Sequence, residues 1–246
     1  MVATRGDFLY LEYGNIEIEF LTKHDKLLGA AIDQIGHIYR TVDSDLFRSV
    51  VHHVIGQQIS TAAQVTIWQR LNDRLQEINA DSICSLELTE LQKFGMTFKK
   101  AGYIKDFAEK VKNNEFDIEA LHHLSNAEVI NELSALKGIG KWTAEMIMIF
   151  CMQRPDVMSF GDLAILRGMR MLYHHESINR ITFDKYARRY SPYGTVAGLY
   201  LWAIAGGAIS GMHDYAPKTR KNTDKSNKIR NNAPIKSKTT EKKNRN

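Results

Sequence analysis

Two cysteines in 246 residues, Cys84 and Cys151, are too few for a disulfide framework, a four-cysteine iron–sulfur cluster or a four-cysteine zinc site. Both sit in apolar, helix-like surroundings, which suits reduced core residues. Proline is scarce as well. Pro155, Pro192, Pro217 and Pro234 are the whole set, and each falls between or after helix-like segments, where a missing N–H does little harm. No run approaches the roughly 18 consecutive apolar residues of a membrane span. The N-terminus MVATRGDFLYLEYG lacks the apolar stretch and cleavage site of a secretory signal, so a soluble, cytoplasmic protein without a membrane partner is expected. There is no HExxH and no Cys-His ligand spacing. The pairs His52-His53, His122-His123 and His174-His175 diverge on a helix, are assigned to helix surfaces and ends, and predict no metal site. No internal repeat suggests a solenoid.

What is present is apolar material for a core, 43% of the chain, enough for one domain or two small ones sharing a cleft. The net charge of +5 is unevenly placed. Residues 216–246 hold eleven Lys or Arg against Asp224 and Glu241, giving +9, whereas residues 1–215 carry −4. The tail has almost no apolar content and is expected to be disordered, with sequence-independent attraction to phosphates. Residues 8–20 alternate as LYLEY and IEIEF around Gly14-Asn15, the pattern of a small β-hairpin. From Asp25 onward the apolar period is helical. Ser44, Ser60, Thr97 and Ser125 stand at helix starts, and about ten short helices are predicted up to residue 211.

The segment LSALKGIGKWTAEMIMIF, residues 133–150, is the most informative. Leu133 and Leu136 share a helical face, Gly138 and Gly140 flank Ile139, and Ala144, Ile147 and Met148 resume the helical period. Glycines two apart permit a tight turn and a close approach of backbone to another surface, with Ile139 plugging the seam between the helices. The N–H groups of Gly138, Gly140 and Lys141 lie near a helix N-terminus, where they are suited to a phosphate oxygen. Twenty-two residues after Gly140 stands Asp162, which taken alone reads as the N-cap of an apolar-periodic helix.

The hairpin resembles the helix-hairpin-helix motif of non-sequence-specific DNA binders. With VIGQQISTAA at 54–63, FGMTFKKAGYI at 94–104, LKGIGKWTAEMI at 136–147, RPDVMSFGDLAILRGMRMLY at 154–173 and YSPYGTVAGLYLW at 190–202, the chain is similar to the 3-methyladenine DNA glycosylase II family of the HhH-GPD superfamily. Phe160-Gly161-Asp162 matches the family's Gly-Pro-Asp element by its position and its Asp. Pro192-Tyr193-Gly194 departs from the Pro-Tyr-Arg frequent among relatives. The resemblance implies a mainly all-α fold, with two helical subdomains flanking a cleft and a small N-terminal β-hairpin. Residues 1–44 would form an N-terminal segment, 45–215 the glycosylase domain and 216–246 the basic tail.

The same resemblance makes Asp162 the catalytic carboxylate. Cleaving a purine from C1′ creates oxocarbenium character that an anion stabilises while orienting water. It makes Trp142, Met146, Tyr190 and Trp202 candidate walls of the base pocket, although for Trp202 a core role is preferred. Gly138, Ile139, Gly140, Lys141, Thr143, Gln58 and Ile59 become candidate DNA contacts, with Ile59 as the wedge filling the gap left by the flipped base. Relatives that also cut the strand carry a Schiff-base Lys at the position of Trp142, so base removal without lyase activity is expected. No catalytic cofactor is implied; a structural alkali-metal ion on hairpin carbonyls is compatible with the family. The expected partner is double-stranded DNA with alkylated bases, bound by a monomer. The alternatives are another lesion preference on the same fold, or a non-catalytic DNA-binding protein. Deleting residues 217–246 is expected to weaken DNA affinity and flatten its salt dependence with little change in turnover of bound substrate. An unaltered slope of log affinity against log salt would exclude that role.

Overall fold

The computed structural model describes residues 3–5 and 8–217. Three short strands, β1 (Ala3–Arg5), β2 (Phe8–Tyr10) and β3 (Thr41–Val42), form an antiparallel sheet in that order, with Leu9 opposite both Thr4 and Val42. Twelve α-helices follow among the described residues. Those of the first part are α1 (Asn15–His24), α2 (Lys26–Ile35), α3 (Leu46–Gly56), α4 (Thr61–Leu75), α5 (Ala80–Ser85), α6 (Leu88–Lys93) and α7 (Phe98–Lys112). After a 3₁₀ turn at Glu119–His123 come α8 (Asn126–Ala135), α9 (Lys141–Phe150), α10 (Leu163–Tyr173), α11 (Arg180–Tyr190) and α12 (Gly194–Ala205). None of these helices is long and apolar enough to cross a membrane. The basic tail, apart from Ala216 and Pro217, lies outside the described residues.

The helix starts follow local chemistry. Ser60, Thr97 and Ser125 each accept a first-turn N–H, at α4, α7 and α8 respectively. At α3 the cap is Asp45 rather than the expected Ser44. The expected hairpin around Gly14-Asn15 is not formed. IEIEF belongs to α1, because Glu17 accepts from the Gly14 N–H at 2.8 Å and caps a helix there. Ile18 and Leu21, three apart, then face the protein interior. The sheet that does form uses residues further toward the N-terminus and borrows Thr41–Val42.

Two apolar cores result. One is built from α3 to α9 around Val51, Ile55, Leu71, Leu91, Ile104 and Ile147. The other joins α1 and α2 to α10, α11 and α12 around Leu28, Ile165, Met169, Tyr190, Tyr200 and Leu201. Trp202 on α12 packs against both. The second core also holds a buried carboxylate. Asp25 caps α2 through the Leu28 N–H at 3.0 Å and accepts from the Tyr173 hydroxyl at 2.8 Å and Arg189 Nη1 at 2.6 Å. Burying the charge is tolerable because each oxygen finds a donor.

Helices α10 and α12 meet at Gly168, where a Cβ would run into the backbone of Leu201. The substitution Gly168→Ala is therefore expected to lower stability by about 1–3 kcal/mol. Gly102→Ala, in a helical position with nothing within 4 Å of the added carbon, should be neutral or mildly stabilising. Thermal melts of the two variants check this; equal melting temperatures would show that the close approach imposes no constraint.

Candidate active site

The hairpin turns between α8 and α9 as the glycine spacing predicts. Gly138 has φ +84°, in the left-handed region, and an added Cβ would collide with the Tyr103 ring from α7. Ile139 is buried in the first core and Gly140 is the N-cap of α9, whose first-turn N–H groups have no partner within the helix. The hairpin is tied to the turn after α3. The Gln57 amide donates to Gly138 O at 2.7 Å, and Lys100 Nζ donates to Ile55 O and Gln57 O at 2.7 and 2.5 Å. Gln58, with φ +55°, and Ile59 are both exposed in that turn. Gln58 lines the neighbouring cleft.

That cleft has a volume of about 1010 Å³ and is lined by α3, α4, α9, α12, the segment around β3, and Asp162. Asp162 is the N-cap of α10 and only 7% exposed. Its Oδ1 accepts from Ala164 N at 2.9 Å, Ile165 N at 3.0 Å and Trp202 Nε1 at 3.1 Å; its Oδ2 accepts from Trp142 Nε1 at 2.9 Å. The cap assignment and the site assignment thus describe one side chain. A carboxylate here benefits from the positive end of the α10 dipole, and two indoles place their rings beside it.

Of the expected pocket residues, Trp142, Met146 and Trp202 line the cleft. Trp202 is half-buried, touching both cores while presenting its indole N–H to Asp162, so the preference for a core role needs correcting. Tyr190 is a correction in the other direction. It is fully buried in the second core, bonded to the Tyr173 hydroxyl at 2.5 Å, and does not line the cleft. Among the expected DNA contacts, Lys141 is exposed and leans toward Glu145 at 3.9 Å, on a different side from Trp142, as adjacent helical residues must. Thr143 is not at the exposed hairpin surface: it is buried and lines the cleft. The glycine at 194 also has a local reason, since a side chain there would meet Asp156 and Met158, and its N–H donates to Asp156 at 3.1 Å.

The cleft contains groups that the sequence reading left on the surface. His52 and His53 line it, together with Ser49, Trp68, Asp43 and Arg40. A signal for them exists in the sequence. Ser49, His52, His53 and Gly56 repeat at i, i+3, i+4 and i+7, a polar stripe on a helix whose other face is Val50, Val51, Val54 and Ile55. Burial, with the adjacent His53 adding to it, pushes His52 down to about 4, and burial also lowers His53. Both rings are neutral near pH 7. Cys151 is buried and its thiol is pushed up to about 12 by that burial, which leaves it unreactive. No group of three or more His, Cys, Asp or Glu among the described residues is placed to hold a metal.

Residues 51–191 match the model of the HhH-GPD superfamily base excision DNA repair proteins. The DNA-3-methyladenine glycosylase 1 of Schizosaccharomyces pombe is 30% identical over 179 residues, 71% of this chain and 76% of its own. The structure of a DNA-3-methyladenine glycosidase from Bacillus halodurans superimposes with a TM-score of 0.70 at 30% identity, over 80% of this chain and 92% of that one. A 3-methyladenine DNA glycosylase of Schizosaccharomyces pombe, in complex with abasic DNA, superimposes with a TM-score of 0.68 at 24% identity, over 80% and 98%. The chain belongs to the HhH-GPD superfamily, and its mainly helical fold is that of the superfamily's DNA glycosylases.

The two indole N–H groups give a direct test of the site geometry. Trp142→Phe keeps a ring on the wall and removes one donor to the carboxylate. Because a hydrogen bond to a charged group is worth about 1.5–3 kcal/mol, base release is expected to slow by roughly ten- to a hundredfold, with a modest fall in melting temperature because Oδ2 of the largely buried carboxylate loses its donor. Single-turnover rates on methylated duplex check this; wild-type rates would show that the indole does not position Asp162.

Proposed function

We propose that the chain removes alkylated, 3-methyladenine-like purines from duplex DNA by hydrolysis of the N-glycosidic bond, leaving an abasic site without cutting the strand. The observation that carries this reading is Asp162, held by four N–H donors at the wall of a cleft that also contains two indoles. The names of the relatives point to the same base class.

In this reading the first-turn N–H groups of α9 and the Lys141 ammonium grip a phosphate, and the damaged nucleotide swings into the cleft. The turn 57–59 fills the gap it leaves. Gln58 shares this role with Ile59, because it is Gln58 that sits at the cleft rim. The electron-rich faces of Trp142 and Trp202 favour a cationic methylated base, which is already a good leaving group. As the bond to C1′ stretches, positive charge grows on the sugar and the Asp162 carboxylate stabilises it; the same group orients the water that completes the hydrolysis. At the position where strand-cutting relatives have a Schiff-base Lys, this chain presents an indole to Asp162, and the adjacent Lys141 is turned toward Glu145. This supports base removal without a lyase step. The enzyme is taken to act as a monomer. A structural alkali ion at the hairpin belongs to the proposal as added positive charge beside the phosphate. The Leu136 and Gly138 carbonyls each accept a hydrogen bond and keep a lone pair for such an ion, but no step runs through it.

Asp162→Asn is the sharpest variant, since the carboxamide oxygen can still cap α10 while the negative charge is gone. Release of free base from methylated duplex is expected to fall by at least about a hundredfold with DNA binding retained. Assaying the same reactions for strand breaks before any alkali treatment should find intact strands. A fully active Asp162→Asn would remove the catalytic assignment, and wild-type strand cleavage would remove the monofunctional one.

A further inference from the structure

The α3 wall of the cleft carries a polar group that the chemistry at Asp162 does not use. His53 Nδ1 lies 2.8 Å from the carbonyl oxygen of Ser49. A carbonyl only accepts, so Nδ1 carries the proton, and in the neutral ring the lone pair falls on Nε2. Burial keeps the ring neutral near pH 7, outweighing the opposing effects of the Ser49 carbonyl and the Asp43 carboxylate. No hydrogen bond to Nε2 is formed among the described residues, yet the ring lines the cleft. Nor is Nε2 sealed in: the fully enclosed side-chain N or O atoms lacking a partner among those residues are Thr22 Oγ1 and Asp106 Oδ2.

The neighbouring imidazole is differently engaged. The Gln64 amide lies 3.2 Å from His52 Nε2 and donates to His52 O at 3.0 Å, while the Trp68 ring packs edge-on at 4.8 Å. His52 is thereby held in place, and His53 is left as the imidazole with an open acceptor facing the cleft. Asp43, on the same wall, is 4.0 Å from Arg48 and accepts from Asp45 N at 3.0 Å.

We propose that His53 reads the edge of the everted base, its Nε2 accepting a hydrogen bond from the exocyclic amine of a 3-methyladenine-like purine. This rests on the glycosylase reading of the cleft and adds the determinant of which base fits. A neutral acceptor suits a cationic base in two ways. The positive charge makes the base a stronger donor, and an uncharged ring does not repel it. A purine lacking the amine leaves the half-buried acceptor unpaired, and that is how a polar contact discriminates.

The test is binding of free bases to the full-length protein, followed through the fluorescence of the cleft tryptophans. Free 3-methyladenine is compared with 3-methylpurine, which lacks the amine. The wild type is expected to bind 3-methyladenine about tenfold more tightly. His53→Phe should erase that preference, and His53→Gln, whose side-chain carbonyl can take the place of Nε2, should restore part of it. Equal wild-type affinities for the two bases overturn the proposal without recourse to any variant, and so does a His53→Phe protein that keeps the preference. Base release from methylated duplex by the wild type, run in parallel, separates the two levels. Release without preference for the amine sinks only the role of His53; absence of both release and binding sinks the glycosylase reading with it.

Discussion

One carboxylate gathers four N–H donors from three helices. Two belong to the backbone at the start of α10, one to Trp142 in the first turn of α9, and one to Trp202 near the end of α12. A carboxylate this far from solvent is tolerated only when its lone pairs are satisfied. The requirement works in both directions: the donors hold Asp162 at one point on the cleft wall, and Asp162 holds the two indoles beside it. α9 begins at the hairpin proposed to face phosphate, and α12 packs in the second core and reaches the first through Trp202. In the proposed function, the distance between the grip on DNA and the reacting charge is thus fixed by rigid elements instead of loops.

The surrounding fold serves that arrangement. The first core supports the hairpin through buried Ile139 and through Tyr103 pressed on Gly138; the second supports α10 and α12, which touch so closely at Gly168 that no side chain fits. Gln57 binds the turn after α3 to the hairpin, and Lys100 binds the same turn to α7, whose Tyr103 lies against Gly138. The hairpin and the turn after α3, proposed as phosphate grip and gap filler, therefore share one support, and the cleft is lined by that turn and by Asp162.

Much of this was legible in the residues. The helical period from Asp25 onward, three Ser or Thr caps and the Gly138-Ile139-Gly140 turn are local signals, and local chemistry decides them. Asp162 was readable as both cap and catalyst; it caps α10 and lines the cleft, which is where the proposed catalytic role needs it. The errors have physical causes. IEIEF alternates like a strand, but Glu17 is placed to cap a helix and the apolar residues three apart find a core. Tyr190 and Trp202 open and close one block, residues 190–202, and are both large aromatics. Which one is sealed and which reaches the cleft depends on the packing of α11 and α12, a long-range matter that no local pattern carries. The histidines of α3 do not stand out as an adjacent pair; their signal is the spacing that runs from Ser49 to Gly56 along one face of the helix.

The central claim is that the Asp162 carboxylate faces the charge that develops on the sugar. The measurement closest to it compares wild-type affinity for a duplex carrying a cationic pyrrolidine in place of the damaged nucleotide with affinity for one carrying the neutral tetrahydrofuran. A protein built as described prefers the cationic mimic by about a hundredfold or more, and loses that preference when position 162 becomes alanine. Equal affinity for the two duplexes in the wild type would contradict the account.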